Sequence, residues 1–320
     1  MTVNRIDADP AAGFNYPYYL HVPDSLASDT PVPILVETTN MPGPSDDFDA
    51  HLDEAKRRAS SGFGRRIAEE LTLPFLHPVF PRPVSDPVDW NHYTHSLDPE
   101  TLRIENSTLE RIDLQLLRMV EDAQGRILEQ GTSTMDRFIL NGFSASGKFA
   151  NRFSALHPEK LISVSAGGLD GTIILPIEET EIPVDWIDRA ELNYPVGTAN
   201  IEELTGEPFN LDAFRDVHQF LYLGENDEKD TLLYPDAWTE PEIRGIAVNV
   251  YGEDIHKERF PYCKTVYEET GVSAVFRRYE ETGHDPTPAM EDVVEFHQRS
   301  LAGDDIESIR ADLGGNVPDG

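Results

Sequence analysis

The sequence has one cysteine, six lysines and no long apolar run among its 320 residues. A lone Cys263 excludes an intrachain disulfide and a zinc site built from cysteines, so we interpret it as a small buried apolar residue. No apolar run approaches the roughly 18 residues of a membrane-spanning helix. The N-terminus also lacks the basic-then-apolar order of a signal peptide. We therefore expect a cytoplasmic protein that has no membrane partner.

Basic residues are scarce relative to acidic ones. The chain has 26 Lys and Arg against 59 Asp and Glu, for a formal net charge of −33. This balance disfavours nucleic acid as a partner, because phosphate backbones bind basic surfaces. Dense carboxylates with few lysines are typical of proteins that work in molar salt, where the screening length shrinks to about 3 Å. We expect a halophilic protein, with an ordinary acidic protein as the alternative, and neither identifies a reaction.

Apolar strand-like runs alternate with helical patterns along the chain. Strands are predicted at residues 16–22, 32–37, 71–80, 138–141, 161–165, 219–223 and 274–279. Helices are predicted at 45–71, at 109–122, from about 147, at 260–269 and at 288–299. This order predicts an α/β fold in which a mostly parallel sheet carries helices on both faces. Parallel strands end at one edge of the sheet, so polar residues just after strands are candidates for chemistry.

We expect a single domain over residues 1–300, since α/β enzymes often hold one core at this length. Residues 169–216 interrupt the alternation, which suggests a lid-like insertion over the edge of the sheet. Residues 301–320 are expected to form a loosely held acidic tail. Four aromatic residues in or after the insertion are candidates either for lining a substrate pocket or for packing: Trp186, Tyr194, Tyr234 and Trp238.

A tight turn of small residues, GFSASG at 142–147, lies between a predicted strand and a predicted helix. A serine at the tip of such a turn needs small residues two positions before and two after, and Gly142 and Ser146 meet this need around Ser144. The turn would raise the hydroxyl to the edge of the sheet and direct N–H groups of the helix start at a developing oxyanion. With Ser146 as the nucleophile, Lys148 would occupy a position that requires a small residue, so we favour Ser144.

The same turn permits two other interpretations. Residues 142–148 read G-x-x-x-x-G-K, the core of a phosphate-binding loop. The next residue is Phe149, where a nucleoside triphosphatase needs Ser or Thr for magnesium, so we disfavour that function. A serine-rich helix cap with no chemistry stays open from the turn alone.

A serine nucleophile needs an imidazole to take its proton and a carboxylate to fix the tautomer of that imidazole. Asp227 follows the predicted strand 219–223, and His284 follows the strand 274–279 through a glycine turn. Of ten histidines, His284 alone has this position. Other candidates for the acid are Asp230, Glu225 and Asp254.

We predict no metal site. His92 and His95 have H-x-x-H spacing but no convergent carboxylates, and a substrate-contacting loop is an alternative role for them. The acidic segment 45–54 lacks the central glycine of a calcium loop, so we interpret it as the start of a helix.

The turn around Ser144 and the order Ser, Asp, His resemble the α/β-hydrolase superfamily over roughly residues 16–300. The single-domain layout and the late GHDPTP turn are most similar to its polyhydroxybutyrate-depolymerase and feruloyl-esterase group. The chain departs from the G-x-S-x-G pattern, because Ser146 stands at the fifth position and the glycine follows at Gly147. The resemblance implies a serine esterase that needs no cofactor and acts on a small-molecule ester.

By the same resemblance, Ser144 attacks the ester carbonyl, Asp227 orients His284, and His284 acts as base and then as acid. The Ala145 amide supplies one oxyanion donor. A second donor comes from the loop at 38–43, where the usual His-Gly is absent and we select Asn40, with Thr39 and Met41 open. Because His-Gly is absent, a non-catalytic binding protein is one alternative function. A serine peptidase of the oligopeptidase type is another, since it shares the same core.

Overall fold

The computed structural model describes residues 3–26, 30–85, 96–184, 187–233, 238, 240–315 and 317–318. Its strands are β1 (Asn4–Ile6), β2 (Tyr18–His21), β3 (Leu35–Glu37), β4 (Phe75–Pro78), β5 (Phe138–Phe143), β6 (Leu161–Gly167), β7 (Glu179–Val184), β8 (Ile187–Glu191), β9 (His218–Gly224) and β10 (Ala274–Tyr279). Eight of them form one sheet in the order β1-β2-β4-β3-β5-β6-β9-β10. The strands from β4 to β10 in this sheet are parallel, while β1 and β2 are antiparallel additions at one edge. The predicted mostly parallel sheet is confirmed.

The helices are α1 (Phe48–Ser61), α2 (Phe63–Leu71), α3 (Pro99–Leu102), α4 (Ile112–Glu129), α5 (Ala145–Leu156), α6 (Ile201–Thr205), α7 (Leu211–Asp216), α8 (Pro241–Tyr251), α9 (Phe260–Glu269), α10 (Met290–Ala302) and α11 (Ile306–Leu313). A π-helical turn, Ile255–Arg259, precedes α9. Among the described residues, no helix is both long and apolar enough to cross a bilayer.

Helices cover both faces of the sheet, as predicted. Successive strand residues point to opposite faces, so Leu140 of β5 joins one apolar cluster and Ile139 joins the other. The first cluster includes apolar side chains of α4, α5 and α9, and the second includes those of α1, α2, α10 and α11. The central strands are therefore buried on both sides, which leaves their carboxyl ends as the place for a site.

Residues 169–216 are packed into the first cluster. They contain the antiparallel pair β7 and β8, followed by α6 and α7. Leu175, Leu192 and Tyr194 in this segment are buried, and the Tyr194 hydroxyl donates to the carbonyl of Leu97. The insertion thus contributes side chains to the core, and its role as a lid stays a prediction.

The C-terminal segment differs from the expected loose tail. Helix α10 continues to Ala302, and α11 packs with Ile309 and Leu313 buried. The Asp305 side chain caps α11 by accepting from the Ser308 N–H at 3.0 Å. The acidic composition hides this helix, because only a few apolar residues at helical spacing mark its buried side.

Replacing Ile309 by Ala tests whether α11 is part of the folded domain. Removal of a buried isoleucine side chain typically lowers the free energy of unfolding by about 2–5 kcal/mol. The matched control is Glu307→Ala on the same helix, whose side chain is 73% exposed and whose ion pair with Arg310 contributes at most about 1 kcal/mol. Urea unfolding followed by circular dichroism measures both, and equal midpoints for the two variants would contradict the packing of α11.

Candidate active site

Ser144 occupies a sharp turn between β5 and α5. Its backbone has φ 64° and ψ −130°, a conformation that residues with a side chain rarely adopt. A Cβ on Gly142 would lie 2.0 Å from the backbone oxygen of Ser146, so only glycine fits there. The chain therefore folds back on itself at Ser144 and presents this side chain beyond the end of β5.

The second tightly packed position of the turn is Gly147 and not Ser146. A Cβ on Gly147 would lie 2.5 Å from the backbone oxygen of Gly167 in the neighbouring strand β6. Ser146 has room for its side chain, which is buried and donates to the carbonyl of Phe143 at 2.8 Å. The apparent departure from G-x-S-x-G thus has a local cause, and the hydroxyl of Ser146 is occupied within the turn.

The start of α5 provides N–H groups beside Ser144. The Ala145 N–H lies in the first turn, where N–H groups have no acceptor within the helix. Ala145 and Asn40 both line the cavity that Ser144 lines. The Met41 N–H donates to the Thr39 hydroxyl at 3.2 Å, which favours Asn40 over Met41 as a second donor.

His284 and Asp227 meet although 57 residues separate them. Nδ1 of His284 lies 2.7 Å from Oδ2 of Asp227, whose side chain is only 2% exposed. The loops after β9 and β10 touch, since a Cβ on Gly224 would lie 2.2 Å from the backbone oxygen of Gly283. This close approach brings the carboxylate and the imidazole together.

The other candidate acids have different partners. Asp230 forms a two-point ion pair with Arg259, with N to O distances of 2.8 and 2.9 Å. Asp254 accepts from two backbone N–H groups of the following turn, each at 2.9 Å. Glu225 accepts from the Glu281 N–H at 3.3 Å. Of these carboxylates, only Asp227 contacts His284.

The imidazole of His284 lies against the residue that precedes Ser144. The rings of His284 and Phe143 are 4.7 Å apart between centroids. Gly168 leaves room for this arrangement, because a Cβ there would be 3.0 Å from Cε1 of His284. No role for Phe143 or Gly168 was predicted from the sequence, although Gly167 and Gly168, at and just after the end of β6, are a signal of close packing.

A cavity of about 730 Å³ joins the predicted residues. Ser144, Ala145, Asn40 and His284 line it, while Asp227 lies behind His284. The hydrogen bonds of the described residues include none between the Ser144 hydroxyl and His284. Nucleophile and base often lie further apart without substrate than in the reacting complex, so this geometry is compatible with proton transfer between them.

A buried ion pair forms another part of the cavity wall. Nζ of Lys148 lies 2.8 Å from Oδ2 of Asp170 and 2.6 Å from the Thr231 hydroxyl. Desolvation lowers the pKa of Lys148. Burial by itself raises the pKa of Asp170, but Lys148 together with the hydroxyls of Thr172 and Thr231 outweighs it, so the pKa of that carboxyl lies below its usual value. The lysine of the phosphate-loop pattern is therefore paired with a carboxylate of its own chain.

A second serine and histidine contact lies within the core. His297 of α10 contacts Ser163 at 2.8 Å through Nδ1 and Ser165 at 2.9 Å through Nε2, and all three residues are fully buried. Burial lowers the pKa of His297 to about 3, so the ring is neutral. Ser165 donates to Asn141 at 2.7 Å, which requires Nε2 to donate to Ser165 and Nδ1 to accept from Ser163. None of these four residues lines the cavity, so we assign them a structural role.

Glu37 ends strand β3, directly before the loop that carries Asn40. Its Oε1 accepts from the Gly64 N–H at 2.8 Å and from Nδ2 of Asn141 at 2.7 Å. Desolvation raises the pKa of Glu37 to about 7, although Arg58 and these two donors lower it in part. A titratable carboxyl is thus buried next to the predicted oxyanion loop.

Some predicted residues lie outside the described part of the chain. These are His92, His95, Trp186 and Tyr234. Within the described ranges, no group of three or more His, Cys, Asp or Glu side chains is arranged to hold a metal ion. Of the aromatic candidates for the pocket, Trp238 lines the cavity and Tyr194 is buried in the core.

Solved structures resemble the whole chain. Poly(aspartic acid) hydrolase-1 from Sphingomonas sp. KT-1 matches with a TM-score of 0.52 and 15% identity, covering 92% of this chain and 97% of that one. An S-formylglutathione hydrolase from Agrobacterium tumefaciens has a TM-score of 0.51 and 15% identity, with 93% and 94% covered. A poly(3-hydroxybutyrate) depolymerase from Bordetella parapertussis has a TM-score of 0.51 and 16% identity, with 96% and 94% covered. No protein family and no curated protein matches the sequence.

The sheet order and these likenesses establish the α/β-hydrolase fold for this chain. The fold expected from the turn at 142–147 and the order of Ser, Asp and His is confirmed. At 15–16% identity the likeness concerns the fold, and the chemistry depends on the residues of the site.

The free energy of unfolding should depend on pH through Glu37. Its pKa is raised from 4.5 to about 7 on folding, so the folded state binds more protons than the unfolded state between these values. This group therefore makes the fold less stable as pH rises through that window, by about 3 kcal/mol in total. Glu37→Gln removes this contribution, so the variant should gain stability relative to the parent between pH 5 and pH 8.

Chemical unfolding at several pH values measures this difference. The matched control is Glu105→Gln at an exposed position, which leaves the buried carboxyl of Glu37 in place, so we expect this variant to keep the pH dependence of the parent protein. A parallel pH profile for Glu37→Gln and the parent protein would mean that Glu37 is ionised in the fold at pH 5.

Proposed function

We propose that the protein is a serine hydrolase that cleaves carboxylic esters of small molecules. The observation that carries the proposal is the 2.7 Å contact between His284 and Asp227 at a cavity that Ser144 also lines. An imidazole oriented by a buried carboxylate is the arrangement that activates a serine hydroxyl.

The proposed reaction begins when Ser144 Oγ attacks the ester carbonyl and His284 takes the hydroxyl proton. Because Nδ1 of His284 contacts Asp227, Nε2 is the nitrogen left for this transfer. The negative oxygen of the tetrahedral intermediate accepts from the N–H groups of Ala145 and Asn40. His284 then protonates the leaving alcohol, and water releases the acid from Ser144 by the reverse sequence.

The ester is favoured as the bond that is cleaved. The poly(3-hydroxybutyrate) depolymerase with the same fold is named for a polyester and the S-formylglutathione hydrolase for a thioester, whereas the poly(aspartic acid) hydrolase is named for a polyamide. The cavity of about 730 Å³ has the size of a small-molecule site. A peptidase would use the same three side chains. The rates of hydrolysis of an ester and of an amide with the same acyl group therefore distinguish an esterase from a peptidase.

We also propose a location in the cytoplasm of a cell that contains high salt. The net charge of −33 and the six lysines support this environment, because screening reduces the repulsion between surface carboxylates. Activity assays therefore belong in concentrated salt.

Ser144→Ala should abolish covalent labelling by a fluorophosphonate probe, because the probe reacts with an activated serine. Ser146→Ala is the matched control, since its hydroxyl is bonded to Phe143 inside the same turn, and we expect labelling to persist. Mass spectrometry of the labelled peptide identifies the modified residue. A label on Ser146, or labelling that survives Ser144→Ala, rejects Ser144 as the nucleophile, and no labelling of the parent protein supports a non-catalytic binding protein.

Asp227→Asn should lower kcat for p-nitrophenyl butyrate by about 10⁴-fold, because the amide no longer fixes the imidazole tautomer. His284→Ala should lower kcat by about 10⁴-fold to 10⁶-fold. Glu225→Gln alters a nearby carboxylate that does not contact His284, so we expect activity within about threefold of the parent. Rates are measured for the ester and for the matching p-nitroanilide, and faster cleavage of the anilide would favour a peptidase.

A further inference from the structure

Helix α5 extends one face from Ser144 along the cavity. Ser144, Lys148 and Arg152 are spaced four residues apart, so they lie on the same side of the helix, and all three line the cavity. Eight residues of α-helix rise about 12 Å. A ligand bound at Ser144 can therefore extend along this face toward Arg152.

Within the described part of the chain, Arg152 is a buried cation without an acidic partner. The residue is 6% exposed, and its one side-chain hydrogen bond is from Nη1 to the carbonyl of Ser96 at 2.8 Å. Across the described ranges, it forms no ion pair. A buried guanidinium has five N–H donors and normally pairs with a carboxylate or phosphate, since an unpaired buried charge is costly.

Four of the carboxylates among the described lining residues have other partners, while Glu228 also lines the cavity and forms no ion pair with Arg152 in the described ranges. Asp170 is paired with Lys148, and Asp230 is paired with Arg259. Asp98 caps α3 by accepting from the Thr101 N–H at 3.0 Å. The positive charge of Arg152 is therefore not balanced by these side chains.

The remaining donors of Arg152 are accessible from the cavity. They have no acceptor among the described residues, and the side chain of Arg152 lines the cavity. Bound ligand can reach them without displacing an existing partner. One guanidinium fork matches one carboxylate in geometry and in charge.

We propose that the substrate carries a carboxylate remote from its scissile ester, and that Arg152 binds this carboxylate. The inference rests on the proposed ester hydrolysis and adds the class of substrate: an ester with one free acid group. The net charge of −33 repels anions from the protein as a whole, so a preference for an anionic ester must come from a local cation. The acid belongs either to the acyl part or to the alcohol part, and Arg152 would bind it in the same way in both.

Two matched pairs of esters separate these arrangements. In the first pair, 4-nitrophenyl hydrogen adipate is compared with its primary-amide analogue, which places the acid in the acyl part. In the second, 6-butanoyloxyhexanoic acid is compared with its primary amide, which places the acid in the alcohol part. We expect kcat/KM for the acid to exceed that for the amide by about 10-fold to 100-fold in one pair, the usual effect of a charged hydrogen bond. A ratio at or below one in both pairs would overturn the proposal.

Variants assign the preference to Arg152. Arg152→Gln should reduce the acid-to-amide ratio to about one or below, and Arg152→Lys should keep part of it because the charge remains without the fork. Arg118→Gln removes the same charge at a side chain that is 55% exposed on α4, and we expect the ratio to be unchanged. A ratio that survives Arg152→Gln in folded protein, verified by circular dichroism, would also overturn the proposal.

Binding distinguishes this inference from the proposed function. If the parent protein hydrolyses none of the four esters, the proposed function fails, and calorimetric titration with 4-nitrophenyl hydrogen adipate and its amide then tests Arg152 alone. Tighter binding of the acid by about 10-fold, lost in Arg152→Gln, supports the anion site without catalysis. Equal binding of acid and amide contradicts it.

Discussion

The site depends on the close approach of α5 to β6 at the turn around Ser144. Gly142 and Gly147 each occupy a place where a Cβ would overlap a backbone oxygen. Because both positions exclude a side chain, the chain must turn within a few residues, and Ser144 adopts a positive φ of 64°. The position of Ser144 at the edge of the sheet, the direction of the first N–H groups of α5 and the cavity face of that helix all follow from this constraint.

Much of the candidate site could be proposed from the sequence because its members follow strands or turns with short-range signals. Ser144 lies in a turn of small residues, and His284 follows a strand through a glycine. The acid was less certain, since Asp227 and Asp230 both follow β9 and sequence does not show which carboxylate faces the imidazole. In the structure Asp227 contacts His284, whereas Asp230 pairs with Arg259. That contact joins a loop to a π-helical turn and has no signature in either segment.

Other elements were missed where composition and structure conflict. Helix α8 and the pair β7 and β8 lie in segments with prolines and mixed polarity, and α11 lies in a segment expected to be loose. The second small position of the turn was placed one residue early, at Ser146, because the pattern does not show that this side chain can bond to Phe143. In these cases contacts that the local pattern does not encode, from a hydrogen bond within the turn to the packing of α11 on β10, override the local signal.

Arg152 shows why charge has to be counted locally. The sequence is so acidic that any arginine is expected to find a carboxylate, and other arginines near the site do, such as Arg259 with Asp230. Pairing, however, requires a carboxylate within reach of a side chain whose position is fixed by α5. Most of the described acidic side chains of the cavity wall bond elsewhere, to Lys148, to another arginine or to a helix cap. A molecule with a large negative net charge can therefore keep one positive charge inside its cavity, where low dielectric makes its interaction with a bound anion stronger than at the surface.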